Sequence, residues 1–394
     1  MIRRAGIDSI RLGFCIDQGT EAVSPSVDAR PTERTLFEQL QQMIADSLDD
    51  RPVMVEFSGG CDSSLVLSAA TRACRSVGHA DPVPIIYSFG GSDDSDDEAC
   101  QRVMLDYLGL RERQHIRLDD SDLVSPAALE FVKEHGVIWP STLAVRDQLW
   151  AQLPGGLLLS GEGGDEVLGP RRISSLVLAA RSARFRTWRG EYFASAATSV
   201  MPRVIRKTRA ARDYIDAGAA DWLEPGLRRR LLDRLAEMDV SEQLNPRHFP
   251  TTYLSRPWLR DGHHNFGEVA RLRGLTWVAP LAEPTFIDAV ANQIPWHRHT
   301  HRHHLLQWYF ADALPDQIRR RTTKATFNGA YFGAHTRAFA AEWDGSNSPA
   351  GVLPAALRAN WRSALPHGGT GMLLQLQALA SAHGTTQIAG ITTE

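Results

Sequence analysis

The chain has 394 residues, 43% apolar and 23% charged, and 43 Lys and Arg against 46 Asp and Glu leave a formal net charge of −3. That is a globular composition with material for two cores and no global field for nucleic acid. No window is apolar over the length of a bilayer, the start from Met1 to Asp8 lacks the apolar segment of a signal peptide, and Cys15, Cys61, Cys74 and Cys100 form no CxxC pair, so a cytoplasmic protein with no zinc ribbon or iron–sulfur site is expected.

Residues 1 to about 50 carry little information. The stretch from Leu36 to Leu48 has apolar residues at helical spacing, with Thr32 or Thr35 as the cap, and Glu21 to Pro31 is loop-like. Val53 to Phe57 is a short apolar run of the kind buried on both faces of a parallel sheet. It leads into Ser58-Gly59-Gly60-Cys61-Asp62-Ser63-Ser64, and Leu65 to Val77 continues as a helix that Gly78 stops. The two glycines let the backbone turn sharply, and the helix start presents N–H groups without partners of their own. Such a start binds anions, and the hydroxyls of Ser58, Ser63 and Ser64 add donors around a phosphate chain. The loop has neither the Gly-Lys-Ser/Thr ending of a P-loop nor a GxGxxG.

Pro84 to Phe89 is a second buried strand. The acidic run Asp93 to Glu98 lacks the central Gly and distal Glu of a calcium loop, so its expected role is to cap a helix from Glu98 to Leu108. After Gly109, Gln114 to Leu118 reads as a third strand and Asp122 to His135 as a helix ending at Gly136. The next strand, Gly156 to Leu159, runs into Ser160-Gly161-Glu162-Gly163-Gly164-Asp165-Glu166-Val167-Leu168-Gly169. Alternating strands and helices imply a doubly wound parallel sheet, and both glycine-rich loops leave the carboxyl ends of its strands, so they should face each other. Glu162, Asp165, Glu166 and Asp62 then bring carboxylates towards a polyphosphate, which requires Mg²⁺ between the anions.

From about Arg171 the texture becomes Ala-, Arg- and Leu-rich without strand alternation, so a mainly helical second half is expected. Arg181 to Arg189 and Arg203 to Arg212 are basic with Trp188, Tyr192 and Tyr214 interleaved, read as a solvated face or a groove for an anionic or peptide substrate ahead of nucleic-acid stacking. The cluster His297, His299, His301, His303 and His304 has imidazoles at i and i+4, but no Cys or carboxylate accompanies them, so solvation or a cationic substrate contact is favoured over a metal. Leu314 to Phe327 ends in a basic turn whose Lys324 would suit the charge of a leaving pyrophosphate. Beyond Gly345 a loosely held tail with two further helices is expected.

The loop Ser58 to Ser64 resembles the pyrophosphate loop of the ATP-pyrophosphatase superfamily, which splits ATP to AMP and pyrophosphate. Together with Tyr87-Ser88-Phe89, Asp97-Glu98, Ser160 to Gly169, Val278-Ala279-Pro280-Leu281 and Leu314 to Phe327, it resembles the synthetase domain of the asparagine synthetase B family over about residues 50 to 335. The resemblance implies an adenine nucleotide alpha hydrolase-like α/β core over 51–175, a mainly helical substrate-binding part over 176–394 and a short segment, 1–50, with no complete glutaminase domain. It also implies ATP and Mg²⁺, with a carboxylate activated as acyl-AMP and then attacked by an amine. Carried over by motif, Asp62 and Asp165 are Mg²⁺ ligands and Glu162 is the acid/base or amine-positioning carboxylate. Lys324 stabilises pyrophosphate and the second transition state, Asp165 counts among the catalytic residues, and Ser58, Gly59, Gly60, Asp62, Ser63, Ser64, Tyr87, Ser88, Phe89, Ser160 and Gly161 hold ATP.

Two departures narrow the expected function. Ile2 stands where the glutaminase nucleophile would follow the initiator Met, so ammonia from glutamine is not expected. Gly169-Pro170-Arg171 replaces the usual Gly-Gly-Tyr ending, so the acceptor pocket should differ from that of the aspartate enzyme. Members that use an amine already in the substrate include β-lactam synthetases and lasso peptide cyclases, and the Ala-Pro-Leu segment with its Arg/Thr/Lys/Phe turn is most similar to the latter. The lasso branch implies a peptide carrying both carboxylate and amine, and a leader-peptide-binding protein and a protease as pathway partners. tRNA-modifying enzymes share the loop but call for a basic surface and often paired cysteines, and a non-catalytic scaffold would have no need of Asp62, Asp165 and Lys324.

Overall fold

The computed structural model describes residues 1–13, 34–90, 95–321 and 328–383. Five strands, β1 (Val53–Glu56), β2 (Val83–Phe89), β3 (Gln114–Leu118), β4 (Gly156–Leu159) and β5 (Leu275–Val278), form one parallel sheet in the order β3-β2-β1-β4-β5. Side chains alternate between the faces, as the pleat requires. Met54, Ile85, Ile116, Leu158 and Leu275 enter one core, against helices Pro126–His135, Leu143–Trp150, Pro257–Leu272 and Gly371–His383. Val53, Val55, Ile86, Leu157 and Leu159 enter the other, against Leu36–Asp46, Cys61–Ser76 and Pro284–Gln293. Both faces are covered, which is why the strands read as apolar runs.

Local chemistry sets the element ends. Thr35 caps its helix through a reciprocal box, its hydroxyl accepting from Glu38 N at 3.2 Å while Glu38 Oε2 accepts from Thr35 N at 2.8 Å. The helix expected from Asp122 begins at Pro126, because the Ser125 hydroxyl accepts from Ala128 N at 3.3 Å. The helix assigned to Glu98–Leu108 begins earlier, at Ser95.

The second half is mainly helical, as expected, and adds one strand that had not been assigned: β5 pairs with β4 along its whole length. Four residues are too few to display a period of two, and what makes them a strand is the open edge of β4. The expectation of a loosely held tail is overturned. Trp361 is completely buried, with its ring centroid 5.1 Å from Trp343 and 5.9 Å from Phe339. Leu373 and Leu374 are buried as well, and the Gln375 amide donates to the carbonyls of Ser141 (3.0 Å) and Leu123 (3.3 Å). The polar, Gly- and Pro-rich surroundings hid an apolar face that only its partners define. No helix among the described residues is long and apolar enough to cross a membrane.

Trp361→Ala should therefore cost about 3–5 kcal/mol in urea denaturation. A loss below about 1 kcal/mol, typical of a surface substitution, would place the C-terminal helices outside the cooperative core.

Candidate active site

β1 and β4 are neighbours, yet the chain proceeds from β1 outward through β2 and β3 on one side and from β4 to β5 on the other. Their carboxyl ends flank the point where the winding reverses, where an open α/β sheet leaves a crevice. The loop after β1 turns at Gly59 and enters the helix Cys61–Ser76, and the loop after β4 ends in the single turn Gly164–Val167. They touch. A Cβ on Gly161 would lie 2.7 Å from Ser63 N, and one on Gly164 would run into the Asp62 carboxylate. Only glycine permits this approach.

Between the loops is a cavity of about 370 Å³. Of the residues assigned to nucleotide, Ser58, Gly60, Asp62, Ser63, Tyr87, Phe89, Ser160 and Gly161 line it, as do Glu162, Asp165 and Glu166. Ser63 Oγ accepts from Ser58 N at 3.3 Å, donates to Gly60 O at 3.1 Å and lies 3.2 Å from Ser58 Oγ, so the loop hydroxyls are already organised. Gly59 shapes the turn. Two assigned residues stand back: Ser64 is fully buried with no hydrogen-bond partner for its hydroxyl, and Ser88 lines a neighbouring cavity of about 180 Å³ together with Ser58, Tyr87 and Asp97. Lys324 lies outside the described residues.

Asp62 and Asp165, assigned to Mg²⁺, are both paired with a side chain, that of Arg302. The Arg302 guanidinium donates through Nη2 to Asp62 Oδ1 and through Nη1 to Asp165 Oδ1. Burial disfavours its charge, but Asp62 and Asp165 outweigh that and hold its pKa above the ordinary value. The donor set thus fits a cation bound between these carboxylates. Among the described residues no three His, Cys, Asp or Glu side chains are placed to hold a metal by themselves, so an ion here would complete its shell with substrate oxygens and water.

Further charged residues around the cleft were given no role at the site by the sequence reading. Asp97, expected to cap a helix, is buried inside its first turn and paired with Arg321, whose Nη1 also donates to Gly59 O at 3.0 Å. The segment ending at Arg321 is therefore tied to the first glycine-rich loop, and Cys61 adds a second tie by donating its thiol to Ile318 O at 3.1 Å. Burial pushes that thiol's pKa up, which suits a structural role rather than a nucleophile. Glu56, at the end of β1, accepts from Arg146 and from Trp150 Nε1 (3.2 Å), and both Glu56 and Arg146 line the cleft with Glu162 and Tyr331. A carboxylate inside an otherwise apolar strand was the available signal, since a buried charge demands a partner. Arg302 sat unnoticed among the histidines.

The histidine cluster packs as a stack. His303 and His304 have ring centroids 4.1 Å apart, His304 lies over Trp308 at 5.3 Å, and His301 Nε2 is 3.2 Å from Tyr192 Oη. Burial first, then the neighbouring histidines, lowers the pKa of His303 and His304. His299 is buried apart from this group, and its pKa is pushed down to about 4 by burial, with Arg171 adding to the effect. In the basic run from Arg203, Lys207 pairs with Asp233 (2.9 Å) and Glu237 (3.0 Å), and Tyr214 donates to Asp239 at 2.7 Å, so this is a paired, solvated helix face.

In comparisons with known proteins, the family model described as asparagine synthase matches residues 35–361, well over half of the chain. No curated protein matches. The matched span includes both glycine-rich loops, Arg146, Arg302 and Arg321.

Gly161→Ala should cost about 1–3 kcal/mol in stability, because its new methyl meets backbone that cannot retreat. Gly190→Ala, in a helix with nothing near its Cβ position, is the control and should stabilise by about 0.4–1 kcal/mol. Equal effects in thermal or urea unfolding would contradict the close contact of the two loops.

Proposed function

Because the chain belongs to the asparagine synthase family, whose members are ATP-dependent carbon–nitrogen ligases, we propose that it joins a carboxylate and an amine of one peptide through an acyl-adenylate. The product is a lasso-type macrolactam between the N-terminal amine and an Asp or Glu side chain. The observation that carries the adenylation reading is the convergence of Asp62 and Asp165 on one cation at the mouth of two glycine-rich loops. The cyclase assignment rests on the Ala279-Pro280-Leu281 segment and the basic turn, of which Arg321 is held against the first loop.

Asp62 and Asp165 would hold a Mg²⁺ ion, which when bound neutralises phosphate charge and stabilises the departing pyrophosphate. Ser58, Gly60, Ser63 and the N–H groups opening the helix Cys61–Ser76 grip the phosphates from one side, and Ser160 and Gly161 close the other. Tyr87 and Phe89 wall the cleft. In the first step a substrate carboxylate oxygen attacks the α-phosphorus of ATP in line. The new P–O bond forms as the bond to pyrophosphate breaks, and the electron pair leaves with pyrophosphate. In the second, the amine nitrogen attacks the acyl carbon, the C–O bond to AMP breaks, and Glu162 accepts the amine proton. Lys324 is assigned to the charge of pyrophosphate and of the second transition state.

Substrate-dependent ATP–pyrophosphate exchange, with mass spectrometry for a product lighter by one water, tests the reading. Glu162→Gln should retain exchange while amide formation slows about a hundredfold or more, and Asp165→Ala should lose both. Equal loss of the two half-reactions in Glu162→Gln would remove Glu162 from the second step, and exchange with a small carboxylate but no peptide would replace the cyclase by a β-lactam synthetase-type ligase.

Arg302→Met should leave two facing carboxylates without their cation. Its melting temperature should fall in the absence of divalent ions and recover on adding Mg²⁺ more than that of the unaltered protein does. A melting temperature indifferent to Mg²⁺ would count against Asp62 and Asp165 as the ion's ligands.

A further inference from the structure

Arg146 has no role in the steps above, yet its position is unusual. It lies on the helix Leu143–Trp150, packs under the sheet and lines the cleft with Glu162, Tyr87 and Tyr331. Glu56 engages only its Nη1; the other guanidinium nitrogens donate to no described residue, and the side chain keeps 22% of its surface exposed. The other two guanidinium groups of the cleft are committed differently, Arg302 to Asp62 and Asp165, and Arg321 to Asp97 and the Gly59 carbonyl. Aromatic rings surround Arg146, with its Cζ 5.9 Å from the Tyr87 centroid and 5.8 Å from that of Phe266. Burial opposes the charge of this guanidinium, but Glu56, with smaller contributions from Tyr331, Tyr87 and Glu162, leaves its pKa above the ordinary value. It is a cation held on the wall of the cleft.

A guanidinium carries five donors in a planar fork that matches a carboxylate. The Glu56 anchor and the neighbouring rings hold this one in place, so its remaining donors can be used with reduced loss of side-chain freedom. On the reading that this cleft is where the carboxylate is activated, we propose that Arg146 docks the substrate carboxylate, and that Arg146 and Glu162 together select a substrate presenting a carboxylate and an amine side by side. The carboxylate is held through one oxygen while the other attacks phosphorus, and the amine is gathered by the opposite charge of Glu162. Arg146 is thus a specificity-determining residue for the acceptor and leaves the phosphate end to the glycine-rich loops.

The test uses full-length enzyme and two versions of one peptide, with Asp or isosteric Asn at the acceptor position. Peptide binding is measured by calorimetry alongside ATP–pyrophosphate exchange. The unaltered enzyme should bind the Asp peptide about tenfold or more tightly than the Asn peptide, the value of a charge-assisted hydrogen bond. Arg146→Met should abolish that preference and raise KM for the Asp peptide by a similar factor, with Kd for ATP unchanged, and Arg146→Lys should restore part of both. Because Arg146→Met leaves Glu56 buried without its cation, the paired variant Glu56→Leu with Arg146→Met repeats the measurement in a cleft without an orphaned charge and should give the same result. Retention of the acid-over-amide preference in a folded paired variant overturns the role of Arg146 while the adenylation reading stands. Absence of exchange in the unaltered enzyme with either peptide, despite ATP binding, overturns the peptide reading and this inference together.

Discussion

Two negative charges held close together on separate loops require a cation between them. Asp62 and Asp165 are carried by helix starts that follow different strands, and nothing local would bring them together. The sheet does so by placing β1 beside β4, and glycines at 161 and 164 remove the side chains that would keep the loops apart. The resulting repulsion is offset by Arg302, delivered from a helix 240 positions later in the chain. Sheet order, loop glycines and the placement of the second half thus all serve one small volume of concentrated charge.

The same logic recurs around the cleft. Asp97 is met by Arg321 and Glu56 by Arg146, each pair joining elements far apart in sequence. Buried pairs contribute little net stability, because desolvation consumes most of the Coulombic gain, while losing one partner is costly. Their usefulness here is positional. Arg321 ties the end of the segment Leu314–Arg321 to the first loop, and Glu56 anchors a guanidinium that lines the crevice. An ensemble of fixed dipoles and charges of this sort suits phosphoryl chemistry, in which a protein contributes positioning and charge stabilisation more than covalent steps.

The second half of the chain completes the first as well as extending it. β5 closes the open edge of β4, the segment Leu314–Arg321 packs on the first glycine-rich loop, and the helix Gly371–His383 covers the face of the sheet that also carries Arg146's helix. The histidine cluster shows the opposite case, in which conspicuous composition has a quiet structural outcome. Its rings stack on one another and on Trp308, and what that region sends into the cleft is the arginine among them.

The sequence by itself determined the elements whose causes are local. The strand, loop and helix from Val53 to Ser76, the strand and loop from Gly156 to Asp165, the amphipathic helix from Leu36 and the glycine stops at 78, 109 and 136 all follow from side-chain pattern, backbone freedom and capping within a few residues. From these alone the sheet could be called parallel and its two glycine-rich loops placed at the same end, with Asp62, Glu162 and Asp165 facing a common crevice. Only the tertiary structure decided what depends on meetings between distant residues. These are the pairing that makes Leu275–Val278 a strand, the burial of Trp361 and the C-terminal helices, the withdrawal of Ser64 from the cleft and the guanidinium partners of its acids. A run of four residues, or an arginine among histidines, carries no local mark of the neighbour that gives it a role. Pairing across some 90 to 240 positions is settled when the chain closes on itself.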